Sequence, residues 1–348
     1  MENALILCEG LYTTSDAKTA HGLVRYSTRY KIVGVIDSSL AGKDAGEVLD
    51  GIYRGIKIYK DLKEALKENK DVKYLIIGVA TVGGRLPINY RKIIKEAIKN
   101  KLNIISGLHE FLSDDKELSL LAKKYGVNIF NVRKYFQGLK IQYTGKIREV
   151  ESIKIVVVGT DACIGKRTVA IMLNNELNFR GVKSVFVGTG QTAWMQGAKY
   201  GIVLDAMIND FIPGGLEHEV YKAYIEENPK VIVVPGQGSI LHPVFPGSYE
   251  ILLLLKPEIV ILQHAPGRRH LEDFPEYPMP SLDKYLRILE LITNRRDFAI
   301  TLNTEKLDID EVNKLVQMYE KRYDVVSCAP LIHGVRKIAD KIVEKYFG

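Results

Sequence analysis

The stretch KIVVVGTDACIGKRTVAIML, residues 154–173, decides the fold of the second half of the chain. Four consecutive apolar β-branched residues, Ile155–Val158, read as a strand buried on both faces. They run into Gly159, then Gly165-Lys166, then a helix-like segment. A strand, a glycine-rich turn and a helix aim successive backbone N–H groups at one point, where they hold phosphate oxygens, and a lysine at the helix start adds a charge. The usual pattern is GxxxxGK followed by Ser or Thr. Here Thr160 replaces the first glycine, Gly159 stands one residue earlier, and Arg167 displaces the Mg2+-binding hydroxyl, with Thr168 one position later. The plain alternative, a helix start with a chance lysine, gives no reason for the strand before it. The loop therefore reads as a phosphate cradle built from Gly159, Thr160, Asp161, Gly165, Lys166, Arg167 and Thr168. Its missing hydroxyl argues against a fast ATP-hydrolysing motor, whose chemistry the metal largely carries. The metal is left open.

The chain has 348 residues, enough for two domains with cores of their own. Apolar residues make up 46% and charged residues 26%, the profile of an ordinary globular protein. The net charge of +7 is spread along the chain, with no block of like charges that would read as a nucleic-acid arm. Cys8, Cys163 and Cys328 are far apart and show no metal-ligand or disulfide spacing, which fits a reducing cytoplasm. No signal peptide is evident, and the apolar run at Ile251–Leu255 is far too short to span a bilayer. The expectation is a cytoplasmic homo-oligomer with a small-molecule partner and neither nucleic acid nor membrane.

Before the phosphate loop, strands are expected at Ala4–Cys8, Tyr30–Asp37, Val72–Ala80, Asn103–Ser106 and Val127–Asn131, and helices at Ala17–Tyr26, Pro87–Asn100 and Asp114–Tyr125. This alternation predicts a Rossmann-like parallel sheet. Asp37 closes the second strand, where dinucleotide folds place a ribose-binding acid, yet Cys8–Tyr12 contains no GxGxxG. An accessory or substrate-contacting domain is the simpler reading. The polar segment Gln142–Ser152 reads as a linker, giving domains over 1–145 and 152–348. The alternation then restarts, with strands at Ile153–Val158, Lys183–Val187, Val231–Val234, Glu258–Gln263, Asp297–Asn303 and Val325–Cys328, and helices at Lys166–Arg180 and Gly215–Glu227.

Other candidate site residues cluster after strands, at the edge where open α/β sheets bind ligands. Gly188, Thr189, Gly190, Gln191 and Thr192 combine close backbone approach with hydrogen-bonding side chains and are assigned to the cofactor. Gly236, Gln237, Gly238 and Ser239 follow the Val231–Val234 strand and are assigned to substrate, as are His264 and Arg268. Arg268, or its neighbour Arg269, suits bidentate recognition of a carboxylate, although pairing with Glu272 or Asp273 is the structural alternative. Candidate bases are His242, Asp205 and Asp210, the two aspartates lying near the start of a helix and either of them equally able to be a cap or to hold a metal. Trp194 and Tyr200 could stack on an adenine, but core packing explains them as well.

Gly159-Thr160-Asp161 followed by Gly165-Lys166 resembles the GTDxxxGK loop of dethiobiotin synthetase, a P-loop enzyme that activates a carboxylate with ATP. With GTGQT at Gly188–Thr192, LDAMINDF at Leu204–Phe211, GQGSILHP at Gly236–Pro243 and HAPGR at His264–Arg268, nearly the whole chain resembles one family. That family was long known as a domain of unknown function and is now named after D-glutamate N-acetyltransferase. The resemblance implies an α/β fold with a Rossmann-like N-terminal domain and a P-loop NTPase-like, three-layer α/β/α C-terminal domain. It also implies acetyl transfer from acetyl-CoA to an acidic amino acid such as D-glutamate, with the loop gripping the cofactor's phosphates. The family usually carries glutamate where this chain has Pro235, and in dethiobiotin synthetase the comparable acid helps to hold Mg2+. Two alternatives follow from the loop alone. One is an ATP- and Mg2+-dependent carboxylate-activating ligase or kinase, in which Thr168, Asp161 and Asp205 supply metal ligands; the other is a nucleotide-binding module without catalysis.

Overall fold

The computed structural model describes residues 1–296 and 298–348. They form two compact units: residues 1–139 with 191–198 and 205–207, and residues 140–190 with 199–204 and 208–348. Each has its own parallel sheet.

In the first unit, β1 (Glu2–Leu7), β2 (Tyr30–Ile36), β3 (Ile58–Tyr59), β4 (Val72–Ile77), β5 (Asn103–Ser106) and β6 (Ile129–Asn131) lie in the order β3-β2-β1-β4-β5-β6. All of the pairs are parallel. This is the Rossmann order, with its switch point between β1 and β4. Ala4–Leu7 and Leu75–Ile77 are shut off from solvent, which explains why both strands read as continuous apolar runs. Helices Lys18–Arg25, Tyr90–Lys99 and Lys116–Tyr125 cross over between strands. Asp115 caps the last of these by accepting from Leu118 N at 2.9 Å.

The second unit holds β7 (Ile153–Gly159), β8 (Ser184–Gly188), β9 (Tyr200–Gly201), β10 (Val231–Pro235), β11 (Ile259–His264), a small hairpin of β12 (His270–Leu271) and β13 (Phe274–Pro278), β14 (Phe298–Leu302) and β15 (Ser327–Cys328). Its sheet runs β15-β14-β11-β7-β10-β8-β9. The first residue of the strand expected at 297–303, Asp297, lies outside the described residues. Ile155 and Val157 of central β7 join a core with Val169, Leu173 and Leu177 of helix Lys166–Phe179 and Ile338 and Ile342 of helix Arg336–Tyr346. By strand alternation Val156 and Val158 point the other way, and helices Ile212–Glu227 and Ser248–Leu255 pack on β8 and β7. The result is the expected α/β/α sandwich. Register pairs Gln263 with Gly159 and Pro235 with Val157, so the ends of β11, β7 and β10 open at one edge.

The segment expected as a linker, Gln142–Ser152, falls within the second unit instead of between the two. Its anchor is Glu217, a buried carboxylate that accepts from Thr144 N at 2.6 Å, Thr144 Oγ1 at 2.9 Å and Ile147 N at 3.2 Å. These donors hold its carboxyl below the usual range despite burial, which pushes the other way. Gly214, one turn earlier, lets the chain pass close: a Cβ there would meet Tyr143 N at 2.7 Å. The polar composition of the segment reflects its attachment to a carboxylate, and nothing in it marks a flexible spacer. Glu217→Ala strands these donors and is expected to lower stability by about 2–4 kcal/mol. Urea unfolding of the variant measures this; an unchanged midpoint would show that the segment is held by other contacts.

Candidate functional site

The phosphate loop leaves β7 at Gly159 and enters its helix at Gly165, whose φ of 101° is a conformation that favours glycine. Around this turn the framework is built from carbonyl acceptors and long side chains. Thr160 N donates to Gln263 O at 3.0 Å, and the Tyr285 hydroxyl donates to Thr160 O at 2.6 Å. Gln263 Nε2 and Asn303 Nδ2 both donate to Ile164 O, at 3.0 and 3.1 Å. Inside it, Lys166 is buried and its ammonium donates to Asp161 O at 2.6 Å. The lysine thus lies folded over the loop whose N–H groups it would assist.

Asp161 is fully buried. Its Oδ1 accepts from Ala162 N at 2.7 Å, and its Oδ2 accepts from Arg268 Nη1 at 2.8 Å and Glu272 N at 2.9 Å. Arg268 was expected to bind a substrate carboxylate. Its guanidinium instead also donates to Ala162 O at 3.0 Å and to Glu305 through Nε and Nη2, and lies 3.0 Å from Glu272. Three carboxylates surround one buried cation, so Arg268 braces the loop and has no charge to offer a ligand. Arg269 beside it is exposed.

His264 is likewise committed to the framework. Its Nδ1 shares a hydrogen bond with Thr160 Oγ1 at 3.1 Å, and burial lowers its pKa from 6.5 to about 4. His242 corrects a second expectation. Its Nδ1 accepts from Val244 N and Phe245 N, both at 3.1 Å, which assigns the proton of the neutral ring to Nε2. Burial holds the ring neutral by lowering its pKa. The buried Nε2 has no hydrogen-bond partner and lies 3.9 Å from Asp161 Oδ1. A ring in this state is a donor aimed at the phosphate loop, and it lacks the lone pair that a base would need there.

Gln237, Ser239 and Thr189 are spent on one another's loops. Thr189 Oγ1 donates to Pro235 O at 2.7 Å, Gln237 Nε2 donates to Thr189 O at 2.9 Å, and Ser239 Oγ donates to the Tyr285 hydroxyl at 3.1 Å. Gly190 lets Gln237 approach, since a Cβ there would meet Gln237 Nε2 at 2.7 Å. Gly238, at φ 56°, turns the loop so that Ser239 N reaches Phe245 O at 3.0 Å. Gly236 follows β10 directly, and Gly188 closes β8.

Gln191 and Thr192 do not join the phosphate loop's unit. The short helix Gln191–Gln196 belongs to the first unit, where the Thr192 and Thr19 hydroxyls meet at 2.9 Å and Gln191 packs on Gly107. Trp194 in that helix stacks on Phe130 with ring centroids 5.1 Å apart, and Tyr200 is buried with its hydroxyl on Glu226, so both serve packing. Asp205 also falls in the first unit, bound by Arg133, while Asp210 stands exposed in the turn Asn209–Phe211 of the second. The two aspartates therefore do not start one helix together. Sequence reading passed over Arg133 and His109, which follow β6 and β5 at the first sheet's carboxyl edge; that position was their only signal. Arg167 and Thr168 occupy the first turn of their helix, and Pro235 offers no side-chain donor. Among the described residues no group of three or more His, Cys, Asp or Glu side chains is arranged to hold a metal ion.

The buried neutral histidines make stability depend on pH. Between pH 6.5 and about 4 the unfolded His264 ring carries a proton that the folded ring lacks, so stability is full above this window and falls through it on acidification. His242 acts in the same direction. The contribution of His264 is on the order of 3 kcal/mol. Melting temperatures from pH 7 to pH 4 are expected to fall less steeply in His264→Asn than in the unaltered protein; parallel curves would remove His264 from the account.

Comparison with known proteins supports the two-unit reading. Residues 38–135 match the model of a domain of unknown function described as the DUF1611_N Rossmann-like domain, and residues 141–339 match the DUF1611_C P-loop domain. The chain is 29% identical over 280 residues to a D-glutamate N-acetyltransferase of Tritonibacter scottomollicae, covering 78% of this chain and 81% of that one. A protein of the same name from a Pseudoalteromonas species is 29% identical over 272 residues, covering 76% and 80%. The crystal structure of a DUF1611 family protein from Anabaena variabilis superposes with a TM-score of 0.88 at 29% identity, over 99% of this chain and all of the other. No helix among the described residues is long and apolar enough to cross a membrane. With the P-loop model alone matching more than half of its length, the chain belongs to the DUF1611 family.

Proposed function

We propose that the protein is an acetyl-CoA-dependent N-acetyltransferase whose acceptor is the amine of an acidic amino acid, D-glutamate as in the named relatives. The observation that carries the reading is the donor set at the phosphate loop. Lys166, the helix N-terminus behind Gly165 and the unpartnered Nε2–H of His242 are all donors and suit phosphate oxygens. The positions that would supply metal ligands in a dethiobiotin-synthetase-like enzyme hold Arg167 and Pro235.

Acetyl-CoA, when bound, would supply an acetyl thioester: the acceptor's amine nitrogen would bond to its carbonyl carbon, the C–S bond would break, and the amine's proton would pass by way of a base to the departing thiolate. Lys166 grips the cofactor's phosphates by exchanging its bond to Asp161 O for one to a phosphate oxygen. Asp161, clamped by Arg268, keeps the loop open to that exchange without competing for it. Within the phosphate loop's own unit, exposed Asp210 is a group able to take the amine's proton. ATP-dependent carboxylate activation is the second reading, favoured by the Gly159–Lys166 loop taken alone.

Thiol release from acetyl-CoA, measured with and without D-glutamate, separates the two. The expected result is release that requires D-glutamate and that falls, together with coenzyme A affinity, by at least about tenfold in Lys166→Ala. Release of ADP from ATP with a carboxylate substrate, and no thiol, would favour the second reading.

A further inference from the structure

A run of aromatic rings in the second unit leads from the phosphate loop out to solvent. His242 lies in the loop after β10, and Phe274 of β13 meets it edge-on, with ring centroids 5.3 Å apart. Phe245 packs on the same histidine at 4.9 Å and meets Phe274 at 6.0 Å, and Phe274 leads on to Tyr277 at 6.5 Å. The run begins in the interior and ends in water. The His242 side chain is wholly buried, whereas Phe245 is 45% and Tyr277 42% exposed, and Val244, next to Phe245 in the chain, is 48% exposed. All five residues belong to the phosphate loop's own unit. Contiguous exposed apolar side chains of this kind mark a surface that a ligand covers.

The inner end of the run says which ligand. There the buried Nε2–H of His242 has no hydrogen-bond partner and lies 3.9 Å from Asp161 Oδ1 in the phosphate loop. The ridge therefore starts where a phosphate oxygen would be held, and its occupant is the organic part of the same phosphate-bearing ligand. The ring geometry narrows this further. His242 and Phe274 cross at 82°, Phe245 and Phe274 at 70°, and Phe274 and Tyr277 at 65°. Rings that turn edges to one another leave no parallel slot of the kind a planar base enters. Their staggered edges and faces suit a flexible chain bearing methyl groups. We propose that the ridge formed by Phe245, Phe274 and Tyr277 seats the pantetheine arm of acetyl-CoA, whose geminal methyl groups pack on the rings while the adenosine end leaves the loop in another direction. This inference rests on the acetyl-CoA reading and deepens it by assigning residues to the arm that carries the thioester.

The test is calorimetric titration of the full-length protein with coenzyme A, 4′-phosphopantetheine and ADP, which all carry phosphate and differ in bearing the arm, the base or both. Phe245→Ala and Tyr277→Ala are expected to weaken coenzyme A and 4′-phosphopantetheine by at least about fivefold and to leave ADP within about twofold. Equal weakening of all three overturns the proposal, since the rings would then support the loop itself. Weakening of coenzyme A and ADP alone overturns it too and gives the ridge to the base. So does coenzyme A affinity that both variants leave unchanged. Melting curves verify the variants; if Phe245→Ala fails to fold, Tyr277→Ala, at the exposed end of the run, decides alone. An unaltered protein that binds ADP but neither coenzyme A nor 4′-phosphopantetheine would end the acetyl-CoA reading together with this inference, an outcome distinct from coenzyme A binding that the variants leave intact.

Discussion

The second unit depends on the pairing of Asp161 with Arg268. A carboxylate shut off from water inside a phosphate-binding turn opposes the anion that the turn is shaped to hold. The conflict is resolved by satisfying both of its oxygens from within: Ala162 N and Glu272 N supply neutral donors and Arg268 supplies the charge. Arg268 is in turn held by Glu272 and Glu305, so the loops after β7, β11 and β14 and the turn of the β12–β13 hairpin are joined through one guanidinium. Lys166, Tyr285 and His264 then find fixed partners on the loop's backbone and on Thr160. The cradle is rigid because its interior is polar and almost fully satisfied. Two buried atoms of the cradle stand without a hydrogen-bond partner, Gln263 Oε1 and His242 Nε2, and the second is a donor that a ligand's oxygen would satisfy.

The first unit shows the opposite solution at a similar edge. Its strand order is that of dinucleotide-binding sheets, yet the turn after β1 is filled by its own acids. Asp37 accepts from Tyr12 N at 3.1 Å and from Ser39 N at 3.0 Å, and Glu9 accepts from Ser38 N at 2.9 Å. The acid that would hold a ribose is spent on the backbone, and the carboxylate of Glu9 is held on Ser38 beside it. The missing glycines and these bonds leave a Rossmann frame without the usual dinucleotide fingerprint.

Much of this was legible in the residues. The Ile155–Val158 run, Gly165 and Lys166 place a strand, a left-handed turn and a helix, because each requirement is local. Asn103–Ser106 emerges with the expected bounds for the same reason, a short apolar run between clear punctuation. Pairing was legible only in part. Glu272, four residues on, was the partner the sequence offered Arg268, whereas Asp161 and Glu305 come from two other segments of which the spacing of HAPGR carries no trace. The state of His242 is set by two N–H groups of its own loop, which no residue type announces. The excursion of Gln191–Ala198 into the first unit was hidden most completely, since GTGQT reads as one turn while the structure divides it after Gly190.

That division bears on how the chain is made. The first unit is discontinuous: Thr28 N bonds to Gln196 O at 2.7 Å, Gln196 Nε2 bonds to Gly22 O at 2.7 Å, and Met195 is wholly buried. A nascent chain stopped at residue 139 has all six strands of this sheet but lacks the short helix that covers the Thr19 side of it. The N-terminal unit therefore cannot finish folding when its own strands have left the ribosome, and must wait until the segment through Met207 follows. A gene cut at the apparent domain boundary would leave the first unit permanently without that helix.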